Sequence, residues 1–299
     1  MKHNQEEKIK MKKPVRVILA SVIVLSLSAF PIVSAGENIT VKGSDTMVNL
    51  GQAWAEEFMK ENPSTSIAVT GGGSGTGIAA LLNKTCDVAQ SSREISKKER
   101  ELAKTKGLTV QEINVGTDAL VVVVHPANPI QEVTIQQLSG IFSGKIKSWK
   151  EIGGNDQPIL VLSREKNSGT HVYFLEEVVR KGKKDGPEEF APSVLMMLSS
   201  QAVEQEVSSN QTAIGYFGLG YLSPKVKALK IFQEKTKTFV APTVENALDG
   251  SYPLSRPLYF YLPNQAEGTV KQFVDFVLSE KGQAIVLDMH FVPLRKNLA

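Results

Sequence analysis

Three short runs of glycine and hydroxyl residues carry the clearest chemistry in this 299-residue chain. They are Gly43-Ser44-Asp45-Thr46, Gly71-Gly72-Gly73-Ser74-Gly75-Thr76-Gly77 and Asn167-Ser168-Gly169-Thr170. Each follows a strand-like stretch and opens a helix-like one. A helix N-terminus presents unpaired N–H donors and a partial positive charge, so such a turn can hold a small anion. Glycine, lacking a Cβ, lets the backbone come close. A Ser or Thr there is also the ordinary way to cap a helix. These three stand out because each belongs to a separate strand-to-helix unit, where open α/β sheets bind their ligands. Two arginines lie beside them: Arg93 after Ser91-Ser92, and Arg164 four positions before Ser168. A guanidinium grips a tetrahedral oxyanion through two parallel charge-assisted hydrogen bonds. The competing reading of either arginine is a surface ion pair.

Enzyme chemistry finds little support in the same residues. The glycine-rich run lacks the P-loop and dinucleotide spacings. Gly72-Gly73-Ser74-Gly75-Thr76 approaches the G-x-S-x-G nucleophile elbow but has Thr where the last Gly belongs. His125, His171 and His290 stand in no metal-ligand spacing. His171, at a helix start, could line a cleft without being catalytic. Cys86 is the only cysteine, which excludes an internal disulfide and a Cys-rich zinc site, and it reads as a packing residue. No catalytic residue, metal or cofactor is therefore expected.

The elements that must position these turns alternate between strand and helix, which predicts an α/β fold. Strands are expected at 39–42, 66–70, 87–90, 108–115, 119–125, 159–163, 212–216, 229–232 and 258–262. Helices are expected at 46–60, 78–82, 96–104, 134–141, 170–181, 202–208, 269–279 and 282–289. Ser96 and Glu99 predict a capping box, and the four valines 121–124 predict a strand buried on both faces. The pattern suits two α/β lobes, with the chain crossing between them near Gly116-Thr117-Asp118 and again over 255–263.

The first 35 residues read as a secretory leader. Lys12-Lys13-Pro14-Val15-Arg16 is a positive stretch, 17–32 is apolar, and Val33-Ser34-Ala35 suits a signal peptidase cutting after Ala35. The apolar run is shorter than the ~20 residues a membrane span needs. No Cys lies near the cleavage site, so no lipoprotein anchor is expected. Six of the 34 basic residues and two of the 31 acidic ones fall in this leader, leaving the rest of the chain at a net charge of −1. Such a body offers no broad basic surface for nucleic acid.

From about residue 39 to its end, the chain resembles the phosphate-binding proteins of bacterial phosphate ABC transporters, the PstS family. The resemblance rests on Gly43 to Thr46, Gly73 to Gly77, Asp87 to Arg93, Ile141-Phe142-Ser143-Gly144 with Trp149 and Gly153-Gly154, and Arg164 with Ser168-Gly169-Thr170. It implies a periplasmic, monomeric, two-lobed type II binding protein. One lobe would comprise 36–117 with 256–299 and the other 118–255, joined by hinge strands and closing on one phosphate that a membrane permease then receives. Ser74, Arg164, Ser168, Gly169 and Thr170 would be ligands. The first turn would add the Ser44 hydroxyl and the N–H of Asp45 or Thr46.

Two departures from the family pattern matter. Many members place an Asp where Ser92 stands, next to Arg93, and that carboxylate accepts the proton of bound phosphate. The acidic partner of the binding arginine is also missing, since Lys166 occupies its place. Asp45 is one expected substitute for the proton acceptor; its other reading is a helix cap. The alternatives are the same fold holding sulfate, molybdate or tungstate, and an exported phosphohydrolase.

Overall fold

The computed structural model describes residues 37–294; the leader expected at 1–35 lies outside them. The chain begins β1 (Glu37–Gly43), a single 3-10 turn at Asp45–Met47, α1 (Val48–Glu61), β2 (Thr65–Gly72), α2 (Ser74–Leu82), β3 (Val88–Ser91) and α3 (Lys97–Thr105). The long strand β4 (Val110–Val124) follows, then β5 (Glu132–Val133), α4 (Ile135–Phe142), β6 (Leu160–Arg164) and α5 (Gly169–Phe174). Next come β7 (Leu195–Met197), α6 (Ser200–Ser209), β8 (Ala213–Gly218), β9 (Lys227–Ala228), β10 (Lys230–Gln233), β11 (Thr238–Val240) and α7 (Val244–Leu248). The last elements are β12 (Ser255–Pro263), α8 (Gly268–Leu278) and α9 (Glu280–Asp288).

Among the described residues, eight strands run in the order β2-β1-β3-β12-β4-β8-β6-β7 in one sheet, with β9 also on β4. A small second sheet holds β11, β10 and β5. The pairs β1–β2, β1–β3, β6–β8 and β6–β7 are parallel, whereas β12 is antiparallel to both β3 and β4. The fold is thus a mixed α/β sheet flanked by helices, as the alternation predicts.

Apolar residues gather mainly in two clusters. One draws on β1, α1, β3, β12, α8 and α9, where the Trp54 indole N–H donates to Gly282 O at 2.8 Å and its ring meets Phe260 edge-on. The other draws on the C-terminal half of β4, on 130–254 and on Val292, with Phe174 and Tyr216 stacked at 3.7 Å. A third, smaller cluster under α2 and α3 contains Cys86, whose thiol burial pushes up to about 11. All four valines 121–124 are fully buried. The capping box of Ser96 and Glu99 is formed at the start of α3.

Sequence and structure part most clearly at three elements, besides the short β5, β7, β9, β11 and α7 that the residue pattern does not predict. The helix expected at 78–82 already begins at Ser74, so Ser74–Gly77 of the glycine-rich run is helix rather than turn. The strands expected at 108–115 and 119–125 are one strand, β4. Its N-terminal part pairs with β12 and its C-terminal part with β8. Gly116-Thr117-Asp118 does not interrupt the strand. Gly116 pairs with Leu258 across a one-residue register shift, and Asp118 is neutralised by Arg256 on β12. The helix expected at 170–181 is the short α5 continued by a wider π turn over Leu175–Val179. No helix of the described residues is long and apolar enough to cross a membrane.

Candidate functional site

The first turn leaves β1 at Gly43, held by the edge of β3: Ser44 N–H donates to Gln90 O at 2.8 Å, and the Gln90 side-chain amide donates to Ser44 O at 3.0 Å. This brings the Ser44 hydroxyl onto Ser92 Oγ, which it meets at 2.9 Å. Ser74, first residue of α2, completes the group. Its hydroxyl accepts the Ser92 N–H at 3.1 Å and lies 3.4 Å from Ser92 Oγ. Ser44, Ser74 and Ser92 are all fully buried. Burying hydroxyls is costly unless they are hydrogen-bonded, and here they bond one another.

The third turn faces this group from the other side. A Cβ on Gly169 would run into Ser74 Oγ and stand 2.8 Å from Ser92 Oγ, so only glycine lets the N-terminus of α5 rest against the serines. Asn167 fastens the approach: its backbone O accepts Gly75 N–H at 2.9 Å and its amide donates to Gly72 O at 2.8 Å. Ser168 caps α5, its oxygen accepting the N–H groups of Thr170 and His171, which leaves its O–H proton free to donate. The Thr170 hydroxyl meets that of Thr46 at 2.6 Å. The structure therefore brings Ser44, Thr46, Ser74, Ser92, Gly169 and Thr170 together, with Ser168 adjoining.

The two arginines have different partners. Arg164, buried at the end of β6, donates from Nε to Met197 O, from Nη1 to Ser200 Oγ at 2.8 Å and from Nη2 to Leu198 O at 3.0 Å. Its Nη2 also lies 3.0 Å from Asp45 Oδ2. Burial disfavours the charge on Arg164, and Asp45 restores part of it. The acidic partner that the residue pattern lacks at Lys166 is thus supplied by Asp45, from a turn far away in sequence. Asp45 does not cap the first helix; its Oδ2 accepts the N–H and hydroxyl of Ser200 instead, at the start of α6. Arg93 forms a two-pronged pair with Glu99 at 2.8 and 2.7 Å, the ion-pair reading of the sequence, while its Nη2 stays near the glycine-rich turn.

Sequence reasoning overlooked one buried pair. Arg256 on β12 and Asp118 on β4 face each other in register, both almost wholly inaccessible. Arg256 Nε and Nη2 donate to Asp118 Oδ2 at 3.1 and 2.8 Å, and Asp118 Oδ1 accepts the Leu219 N–H. Burial raises the Asp118 pKa against the lowering pull of Arg256. The available signal was a charged residue at the edge of an apolar strand run in each case. His171 lies beneath the third turn, bonded to Ser163 Oγ at 3.2 Å, and burial lowers its pKa to about 4. Among the described residues no group of His, Cys, Asp and Glu is arranged to hold a metal ion.

The chain and its mixed sheet have counterparts among known proteins. A family model described as a PBP superfamily domain matches residues 33–281. The phosphate-binding protein PstS of Pseudomonas aeruginosa is 34% identical over 279 residues, covering 88% of this chain and 84% of the relative. PstS of Bacillus subtilis is 33% identical over 262 residues, covering 87% and 82%. A proposed phosphate ABC transporter substrate-binding protein from Clostridium perfringens, solved with phosphate bound, superposes with a TM-score of 0.77 at 31% identity, covering 87% of this chain and 100% of that one. The chain belongs to the PBP superfamily and, within it, to the PstS family of phosphate-binding proteins. Proteins of this kind are non-enzymatic components of transporters.

Proposed function

We propose that this protein binds one inorganic phosphate between two lobes, 36–117 with 256–299 and 118–255, and delivers it to the permease of an ABC transporter. The observation that carries the reading is the meeting of Ser44, Ser74 and Ser92 with Gly169 and Thr170, from turns on opposite sides of the junction. Hydroxyls and backbone N–H groups are neutral donors suited to a tetrahedral oxyanion, and a hydroxyl can also accept the proton of a protonated one. The two large apolar clusters support this division, one lying within 39–115 and 258–291 and the other within 119–254 apart from Val292, and β4 and β12 would be the hinge strands. In this reading Ser44, Asp45, Thr46, Ser74, Ser92, Arg93, Arg164, Ser168, Gly169 and Thr170 form or border the site. Arg164 is held in place by Asp45 and Ser200. The leader at 1–35 exports the chain to the periplasm without a lipid anchor, and it acts there as a monomer. Opening and closing about the hinge strands admits the ligand and presents the closed form to the permease.

Ser92 keeps a second reading in play, the same site holding sulfate, molybdate or tungstate, because a hydroxyl does not repel a fully deprotonated anion as a carboxylate would. Equilibrium dialysis against radiolabelled phosphate, with each other oxyanion as competitor, separates the two. The proposal expects saturable phosphate retention that excess sulfate does not displace. Displacement by sulfate at equal concentration would move the function to the second reading.

A further inference from the structure

The geometry points to Arg256 as a further phosphate-binding residue, a second guanidinium serving the same anion site as Arg164; this rests on the phosphate reading above. The inference starts from how the two buried arginines use their donors. Every nitrogen of Arg164 already donates to a protein oxygen: Met197 O, Ser200 Oγ, Leu198 O and Asp45 Oδ2. Arg256 is different. Its Nε and Nη2 are taken by Asp118, and Nη2 also donates to Thr170 Oγ1 at 2.9 Å. Its Nη1 is buried and has no partner among the described residues.

A buried, unpaired charged donor is costly, and native proteins seldom leave one without a use. The guanidinium is a rigid planar fork, so Nη1 sits beside Nη2 and therefore close to Thr170. Thr170 in turn bonds Thr46 and follows Gly169, which packs on Ser74 and Ser92. The free donor thus borders the hydroxyl group already assigned to the anion. The Arg256 side chain is also fixed before any ligand arrives. Asp118 holds two of its nitrogens, Tyr173 lies under its plane at 5.3 Å, and Leu219 N–H holds Asp118. Preorganisation of this kind lowers the ordering cost of binding.

The placement couples ligand to hinge. Arg256 and Asp118 are register partners on β12 and β4, while Thr170 belongs to α5. An anion that engages Nη1 would draw on a side chain rooted where the two strands cross between the apolar clusters. The site would then hold two guanidiniums, each with its own carboxylate, Arg164 with Asp45 and Arg256 with Asp118.

The test is isothermal titration with inorganic phosphate of the wild type, of Arg256→Lys, and of the double variant Asp118→Asn/Arg256→Gln. The double variant avoids leaving one buried charge alone. The expected result is a Kd raised at least about 30-fold in both variants, with melting temperatures of the ligand-free proteins close to wild type, because loss of charge-assisted hydrogen bonds is at stake. A folded variant within threefold of wild type overturns the inference and leaves the phosphate reading intact. A wild type that binds no phosphate overturns both. If neither variant folds, a crystal structure of the wild type grown with phosphate decides. Nη1 about 3 Å from a phosphate oxygen upholds the assignment, and Nη1 turned away from the anion overturns it.

Discussion

The carboxylate of Asp45 lies 3.0 Å from the guanidinium of Arg164 and accepts both the backbone N–H and the hydroxyl of Ser200. One oxygen thereby ties the first turn, the end of β6 and the start of α6 together. Arg164 is almost inaccessible while Asp45 keeps some exposure. Removing the carboxylate leaves a buried cation short of its counter-charge. Asp45→Ala should therefore destabilise the protein by about 3 kcal/mol, the low end for breaking a buried pair. Urea unfolding monitored by circular dichroism measures it; a loss under about 1 kcal/mol would show the pair to behave as an exposed one.

Gly169 offers a cleaner separation of binding from folding. Its backbone is helical and needs no special φ, so alanine suits α5 itself. The added methyl, however, would collide with Ser74 Oγ and crowd Ser92 Oγ. Gly169→Ala should weaken phosphate binding by about 100-fold or more, because the methyl holds α5 off the serines when the lobes close, while the ligand-free melting temperature changes little. Binding titrations alongside thermal melts test this, and an unchanged Kd would contradict the packing described.

Ser92 sits among hydroxyls, between Ser44 and Ser74. Replacing it by aspartate installs a group that accepts hydrogen bonds but cannot donate them when ionised. The Ser92→Asp protein should raise its preference for phosphate over sulfate by about 100-fold, since the deprotonated anion would face an unpaired carboxylate. Competition titration at pH 8 gives the ratio. A ratio equal to wild type would mean that another group already enforces protonation.

His171 gives a pH dependence of stability with a definite sign. Burial lowers its pKa from 6.5 to about 4 in the folded state. Above pH 6.5 the ring is neutral in both states and its contribution is complete. Between pH 6.5 and 4 the unfolded chain takes up a proton that the folded chain refuses, so stability falls. The loss from this residue is on the order of 3 kcal/mol. His171→Gln should lose less stability than wild type between about pH 7 and 4.5 in urea titrations. Parallel pH profiles for the two proteins would contradict the assignment.

Local chemistry made much of this legible. The first and third turns, the capping box at Ser96 and the buried valines of β4 depend on neighbours in sequence and are found where the residue pattern puts them, whereas the glycine-rich run is strand up to Gly72 and helix from Ser74. What escaped was set by long-range pairing. Lys166 hid the fact that Arg164 has a carboxylate partner, because that partner comes from the first turn. Arg256 and Asp118 lie in stretches read only as crossings, 138 positions apart. Their burial depends on strand register, which no local pattern encodes. The short strands β5, β7, β9 and β11 and the short helix α7 were equally invisible, having too few residues to show a period.

The most direct test of the central claim is isothermal titration of phosphate into the purified protein after unfolding and refolding to remove carried ligand. The account predicts saturable binding of one phosphate per chain, with no comparable heat from sulfate. A titration showing no saturable phosphate binding by correctly refolded protein would contradict it.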